Sequence, residues 1–284
     1  MKLTVDASIV AKWFLTEPQS KKALQLLAPR IRLHAPDILL VEYANVIWKK
    51  VHRREISDPQ PYLEELARLP ETVTLHRSAD FLDQAARIAM EMDHPVYDCL
   101  YLACADATTS ILITADHRFA KKAAGSSIEV WTIGSAGVAD RIEMAATAPI
   151  IRGEKIEELI KLHEFFARTK QHVLEGLSNR TTEGLPILSP PDFDRFLDSP
   201  SYKRLVDSVS ELADEERVDL LALGWLGAGH FNANWPRNLE HAYEMAETVD
   251  NRYVASYGRD WQAGYDRLKR LMQTRGWPAL DTRS

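Results

Sequence analysis

Apolar and polar positions follow two alternating rhythms over the first 135 residues and a single one afterwards. Short runs rich in β-branched and aliphatic residues predict strands: "KLTVD" (2–6), "IRLHAPD" (31–37, with a turn), "TVTLH" (72–76), "SILITAD" (110–116) and "SIEVWTI" (127–133). Between them, apolar residues recur at three- and four-residue spacing over 8–18, 20–28, 36–54, 59–69, 79–92, 95–107 and 117–124, which predicts helices. Pro36 and Asp37 suit the first turn of the 36–54 helix, and Pro95 stands near the start of the 95–107 helix. Strands that alternate with helices imply parallel pairing, so the expected fold is α/β, a three-layer α/β/α sandwich with a central parallel sheet.

The stretch "GSAGVADRIEMAATAPIIRG" (134–153) is rich in small residues and breaks the alternation. Beyond it the pattern is helical throughout. In "GEKIEELIKLHEFFARTKQHVLEGL" (153–177), Ile156, Leu159 and Ile160 share one face, and further helices are expected near 191–213, 214–228, 236–257 and 260–274. The expected organisation is an α/β domain over 1–135, a linker over 136–152 and an all-α domain over 153–284. No internal repeat or low-complexity tract interrupts it.

Composition changes this picture little. A chain of 284 residues with 45% hydrophobic and 27% charged residues is an ordinary globular protein. No window is long and apolar enough for a membrane span, and "MKLTVD" leads directly into a strand, so a cytoplasmic protein is expected. A net charge of −6 and a pI near 5.9 argue against a protein that coats nucleic acid. They leave room for an acidic catalytic centre flanked by a local basic patch. Cys99 and Cys104 point in different directions on one helix and read as small buried hydrophobes. The nine histidines make no zinc-like spacing.

Four acids change the picture more. Asp6 ends the first strand, and Asp116 ends the strand "ILITAD". Glu42 is the one charge between Asp37 and Lys49 in the helix "ILLVEYANVIW", and Asp98 lies near the start of the helix "PVYDCLYLACA". In open α/β sheets, functional groups gather beyond the carboxyl ends of the strands, where Asp6 and Asp116 fall. Asp98, from a helix N-terminus, and Glu42, from the first half of a helix packed on the sheet, can reach the same edge. Clustered carboxylates raise one another's pKa, and a hard divalent cation resolves the conflict. Oxygen ligands suit Mg²⁺, with Mn²⁺ as the alternative.

Each acid also has a plain structural reading. Asp6 can be a strand-end turn residue, Ser8 and Asp116 helix N-caps, and Asp98 a first-turn partner of the helix dipole. Glu42 has no such explanation, and the coincidence of all four favours a metal site.

The segments "VDASIVAKWFL", the Glu42 helix, "YDCLYLA" and "TADHRF" follow, in order, the four acidic motifs of PIN-domain ribonucleases, and residues 1–135 most resemble the VapC-type toxins of bacterial toxin–antitoxin pairs. The resemblance implies a PIN-like fold and Mg²⁺ held by Asp6, Glu42, Asp98 and Asp116, with Asp6 and Asp98 the firmest ligands. It implies supporting roles for Ser8, close to the metal, and Thr114, which orients Asp116. The implied activity is metal-assisted endonucleolytic hydrolysis of RNA, with Asp116 or Glu42 acting on the attacking water. A homodimer and a cognate antitoxin are the implied partners. Lys49, Lys50, His52, Arg53 and Arg54 at the end of the Glu42 helix, with Arg118, Lys121 and Lys122 after Asp116, are candidate RNA contacts, or else a solvated helix end.

VapC-type proteins usually stop near the strand "EVWTI", so the helical half is a departure. It resembles an uncharacterised bacterial helical domain of unknown function. Three uses compete: inhibition in cis by residues 153–284, selection of the RNA, or assembly. Trp225, Trp235, Trp261 and Trp277 read as core or interface aromatics, and His230 and His241 as surface or capping residues. The rival to catalysis is a PIN scaffold kept as a protein- or RNA-binding module. Aspartyl-phosphate phosphatases need a second Asp where Ser8 stands, and a receiver-like domain leaves Glu42 unexplained.

Overall fold

The computed structural model describes residues 1–176, 181–182, 185–186 and 197–280, in two compact units, Met1–Ala146 and Thr147–Ser284. In the first unit, strands β1 (Lys2–Val5), β2 (Arg32–Pro36), β3 (Val73–His76), β4 (Ile111–Thr114) and β5 (Val130–Thr132) form one parallel sheet in the order β3-β2-β1-β4-β5. The flanking helices are α1 (Ala7–Phe14), α2 (Ser20–Leu24), α3 (Ile38–His52), α4 (Gln60–Thr72), α5 (Leu82–Met92), α6 (Val96–Thr108) and α7 (His117–Ala123).

Burial explains why the central strands lack alternation. Leu3, Thr4 and Val5 are all buried, as are Leu112, Ile113 and Thr114, because helices cover both faces of a parallel sheet. Leu39, Tyr43 and Ile47 anchor α3 to this core, and α6 runs along β1, β2 and β4. Cys99 and Cys104 are buried and free. The strand order reverses direction at β1, whose neighbours are β2 and β4, so the crevice of the topological switch opens at the carboxyl ends of β1 and β4.

The stretch 136–152 contains a helix, Val138–Thr147. The second unit is built from helices Gly153–Gly176, Pro200–Ser210, Asp214–Ala228, Trp235–Met245, Asn251–Ser256 and Gly258–Thr274, with one short antiparallel pair, Thr181–Thr182 and Leu185–Pro186. The expected 236–257 helix is two helices. Asp250 caps the second by accepting from the Tyr253 amide at 2.8 Å, a local bond that competes with helix continuation. Of the expected 191–213 helix, residues 191–196 lie outside the described residues, and the rest is Pro200–Ser210.

The Asp214–Ala228 helix is buried all round from Val218 to Leu226, which makes it the centre of the helical unit. Trp225, Trp235 and Trp261 are core residues, while His230 is exposed and His241 meets Glu244 at 2.9 Å. One acid in that central helix is fully buried: Asp219 accepts from the Ile150 and Ile151 amides, the latter at 2.9 Å. Removing it orphans the buried Ile151 amide and the part-buried Ile150 amide. Asp219→Ala should therefore cost about 2 kcal/mol of stability, seen as a lower urea midpoint, with Asp219→Asn losing less. Equal midpoints for Asp219→Ala and the wild type would contradict this reading.

Candidate functional site

The sheet register brings the first pair of acids together. Val5 pairs with Ile113, so the next residues along, Asp6 and Thr114, leave β1 and β4 side by side. Asp6 is buried, and both of its oxygens are engaged. Oδ1 accepts from Ser8 Oγ at 2.6 Å and the Ile9 amide at 3.1 Å, while Oδ2 accepts from Thr114 Oγ1 at 2.5 Å. Asp6, rather than Ser8, is thus the N-cap of α1.

The two hydroxyls do more than hold Asp6. Ser8 Oγ accepts from the Ala115 amide at 2.8 Å, and Thr114 Oγ1 from the Asp116 amide at 2.9 Å. Each hydroxyl therefore joins the carboxylate at the end of β1 to the backbone leaving β4. That backbone carries Asp116, which is exposed and caps α7 through Oδ1, accepting from Arg118 and Phe119 at 2.8 and 3.0 Å.

Glu42 and Asp98 approach from helices. Glu42 is half-buried on α3, where Tyr101 of α6 donates its hydroxyl to Oε2 at 2.5 Å. Burial and the nearby Glu42 carboxylate raise the Tyr101 pKa, so the phenol keeps its proton and remains a donor. Asp98 lies in the first turn of α6, with the His94 Nε2 atom 2.8 Å from its Oδ2. All four acids line one open cleft of about 600 Å³, together with Lys49 and Tyr97.

The electrostatics of the cleft are frustrated. Burial pushes the Asp6 carboxyl up, against the lowering effect of its hydrogen bonds. Burial, then the charges of Asp98 and Asp6, raise Glu42. Burial raises Asp98 also, with Asp116 adding to it and His94 opposing it. Among the described residues, no group of three or more His, Cys, Asp or Glu is already drawn in around a common point. The donor set nonetheless fits a hard divalent cation in kind: oxygen ligands alone, of which Asp6, Glu42 and Asp98 are disfavoured as anions by burial.

The basic residues are distributed unevenly. Lys49 lines the cleft wall, and Arg118 lines an adjoining hollow with Ser8 and Asp116. Arg53 and Arg54 are exposed at the end of α3. Lys50 is engaged by Glu55 at 2.7 Å and Glu17 at 3.4 Å, which leaves it less available than its neighbours. His94 and Tyr101 were not anticipated. A His at i and an Asp at i+4 is a visible spacing, but the intervening Pro95 hides it as a helical pair. A tyrosine inside an apolar helix reads simply as core.

The first half of the chain is also similar in sequence to known proteins. A family model described as "PIN domain" matches residues 3–125. Ribonuclease VapC3 of Pyrobaculum aerophilum is 32% identical over 124 residues, a span of 43% of this chain and 95% of that protein. The crystal structure of PAE2754 from Pyrobaculum aerophilum superposes with a TM-score of 0.36 at 20% identity, covering 50% of this chain and 90% of the other.

Proposed function

The chain belongs to the PIN-domain family of VapC-type ribonucleases, and on that premise we propose that it is a Mg²⁺-dependent endoribonuclease and the toxin of a toxin–antitoxin pair. The observation that carries this reading is the convergence of Asp6, Glu42, Asp98 and Asp116, from different elements, on one cleft at the switch point of the sheet. Those four are the residues that would hold Mg²⁺, with Mn²⁺ as the alternative. When bound, the ion supplies charge neutralisation at the scissile phosphate and a more acidic water.

The chain's own groups do the rest. Tyr101 fixes Glu42 through Oε2, which leaves Oε1 turned to the cleft for the cation or its water. Lys49 in the cleft and Arg118 in the adjoining hollow meet the phosphates that flank the cut and position the strand without reading its bases. Arg53 and Arg54 extend that track. A homodimer belongs to the same proposal, with the exposed apolar side chains Trp48 on α3 and Met90 on α5 outside the acid cleft. A cognate antitoxin belongs to it as well.

The test is cleavage of a total RNA pool by the full chain. Fragments are expected with Mg²⁺, none in excess EDTA, and recovery when Mg²⁺ or Mn²⁺ is restored. RNA that is bound but left intact under every condition would overturn the nuclease reading in favour of a binding scaffold. Cleavage that persists in EDTA would remove the metal from it.

A further inference from the structure

The imidazole of His94 touches two of the elements that carry the acids. Its Nε2 lies 2.8 Å from Asp98 Oδ2, and its ring stacks on Phe119 with centroids 5.0 Å apart and planes 12° apart. Phe119 is buried on α7, and its amide is one of the two that hold Asp116 Oδ1. His94 therefore sits between the helix that presents Asp98 and the turn that presents Asp116.

Its own backbone is a rigid mount. The His94 amide donates back to Ala89 O at 3.1 Å, closing the end of α5 after Asp93 turns left-handed at φ 49°. Pro95 follows at once and restricts the other side. Lys122 of α7 donates to Asp93 O at 2.5 Å, tying the same corner to α7 a second time. The side chains of His94 and Asp98 are 15% and 31% exposed, so the contact is partly shielded from water. Nε2 is buried and meets Asp98 as an ion-pair contact short of a well-aligned hydrogen bond, with no other partner for that atom among the described residues. Catalytic contacts of this kind tighten when a site is filled.

We infer that His94 is a positioning residue for the candidate metal centre: it holds Asp98 through Oδ2 and leaves Oδ1 as the oxygen offered to the cation. The inference rests on the metal-site reading given above. Groups that hold a ligand's second atom typically change metal affinity by about 10–100-fold when removed. Packing alone would also place a histidine on Phe119, so the test must separate the ring from the nitrogen. His94→Phe keeps a ring on Phe119 and removes the donor; His94→Gln keeps a donor and removes the ring.

Mn²⁺ binding by the full chain, followed by the electron paramagnetic resonance signal of free Mn²⁺, gives the readout, with melting temperature in EDTA as the control for folding. His94→Phe should melt like the wild type and bind Mn²⁺ at least ~10-fold more weakly, whereas His94→Gln should stay within about threefold of the wild type. If the larger ring is not accommodated and the melting temperature falls, His94→Leu replaces it with the same expected loss. Wild-type affinity in the variants that lack the donor, or an equal loss in His94→Gln, overturns the inference while the metal site stands. No Mn²⁺ binding by the wild type itself overturns the metal-site reading and this inference with it.

Discussion

Asp6→Asn should reduce RNA cleavage by ~10³-fold or more, equivalent to about 4 kcal/mol of transition-state stabilisation, while leaving the protein folded. The substitution removes one charge from the centre of the acid group and little else. Asn keeps an oxygen for the Ser8 hydroxyl and Ile9 amide, and its amide group can donate to Thr114 Oγ1 where Asp6 Oδ2 accepted. Stability should move in the opposite direction to activity. Burial raises the folded-state pKa of Asp6, so the native state holds this proton more tightly than the unfolded chain does. A carboxyl of that kind contributes stability at low pH, and the contribution is lost as pH rises above the unfolded value of about 4. The melting temperature in EDTA, taken as Asp6→Asn minus wild type, should therefore grow in favour of the variant between pH 4 and 7. Cleavage by the variant at the wild-type rate would refute the catalytic role of Asp6, and a flat difference in melting would refute the buried charge.

Gly264→Ala should cost the helical unit about 3 kcal/mol, because two helices meet there at backbone distance. A methyl group on Gly264 would overlap the carbonyl oxygen of Leu223, and one on Gly227 would overlap that of Asp260. These are main-chain atoms of the central Asp214–Ala228 helix and the Gly258–Thr274 helix. Neither can rotate aside as a side chain would. Urea unfolding followed by tryptophan fluorescence includes this unit, which holds four of the seven tryptophans, Trp225, Trp235, Trp261 and Trp277. Gly125→Ala is the control, since nothing lies within 4 Å of its added methyl. Equal effects of the two substitutions would contradict the close-packing argument.

Much of this architecture is legible from residue pattern because its causes are local. Continuous apolar runs such as "ILIT" mark strands covered on both faces, and the acids that end them fall where strand polarity puts them. Glu42 stands out because a helix that buries Leu39, Tyr43 and Ile47 has no other reason to place a carboxylate beside the core. What stays hidden depends on distant partners. Tyr101 becomes the holder of Glu42 only once α3 and α6 pack, 59 residues apart in sequence. Lys50 looks like an RNA contact until Glu17, 33 positions earlier, comes to face it. The break in the expected 236–257 helix was readable, since Asp250 three residues before Tyr253 is a capping signal, but the apolar rhythm running across it was the stronger pattern.

The hydroxyl braces at Ser8 and Thr114 also set when such a site can exist. The Asp6 Oδ2 atom is held by a residue 108 positions later. Until β4 has been synthesised and has slid into register beside β1, Asp6 has neither its brace nor Asp116 as a neighbour. A nascent chain that ends before β4 therefore carries no assembled acid centre. The long closure between the first strand and the fourth thus makes the acid group a late product of synthesis and folding.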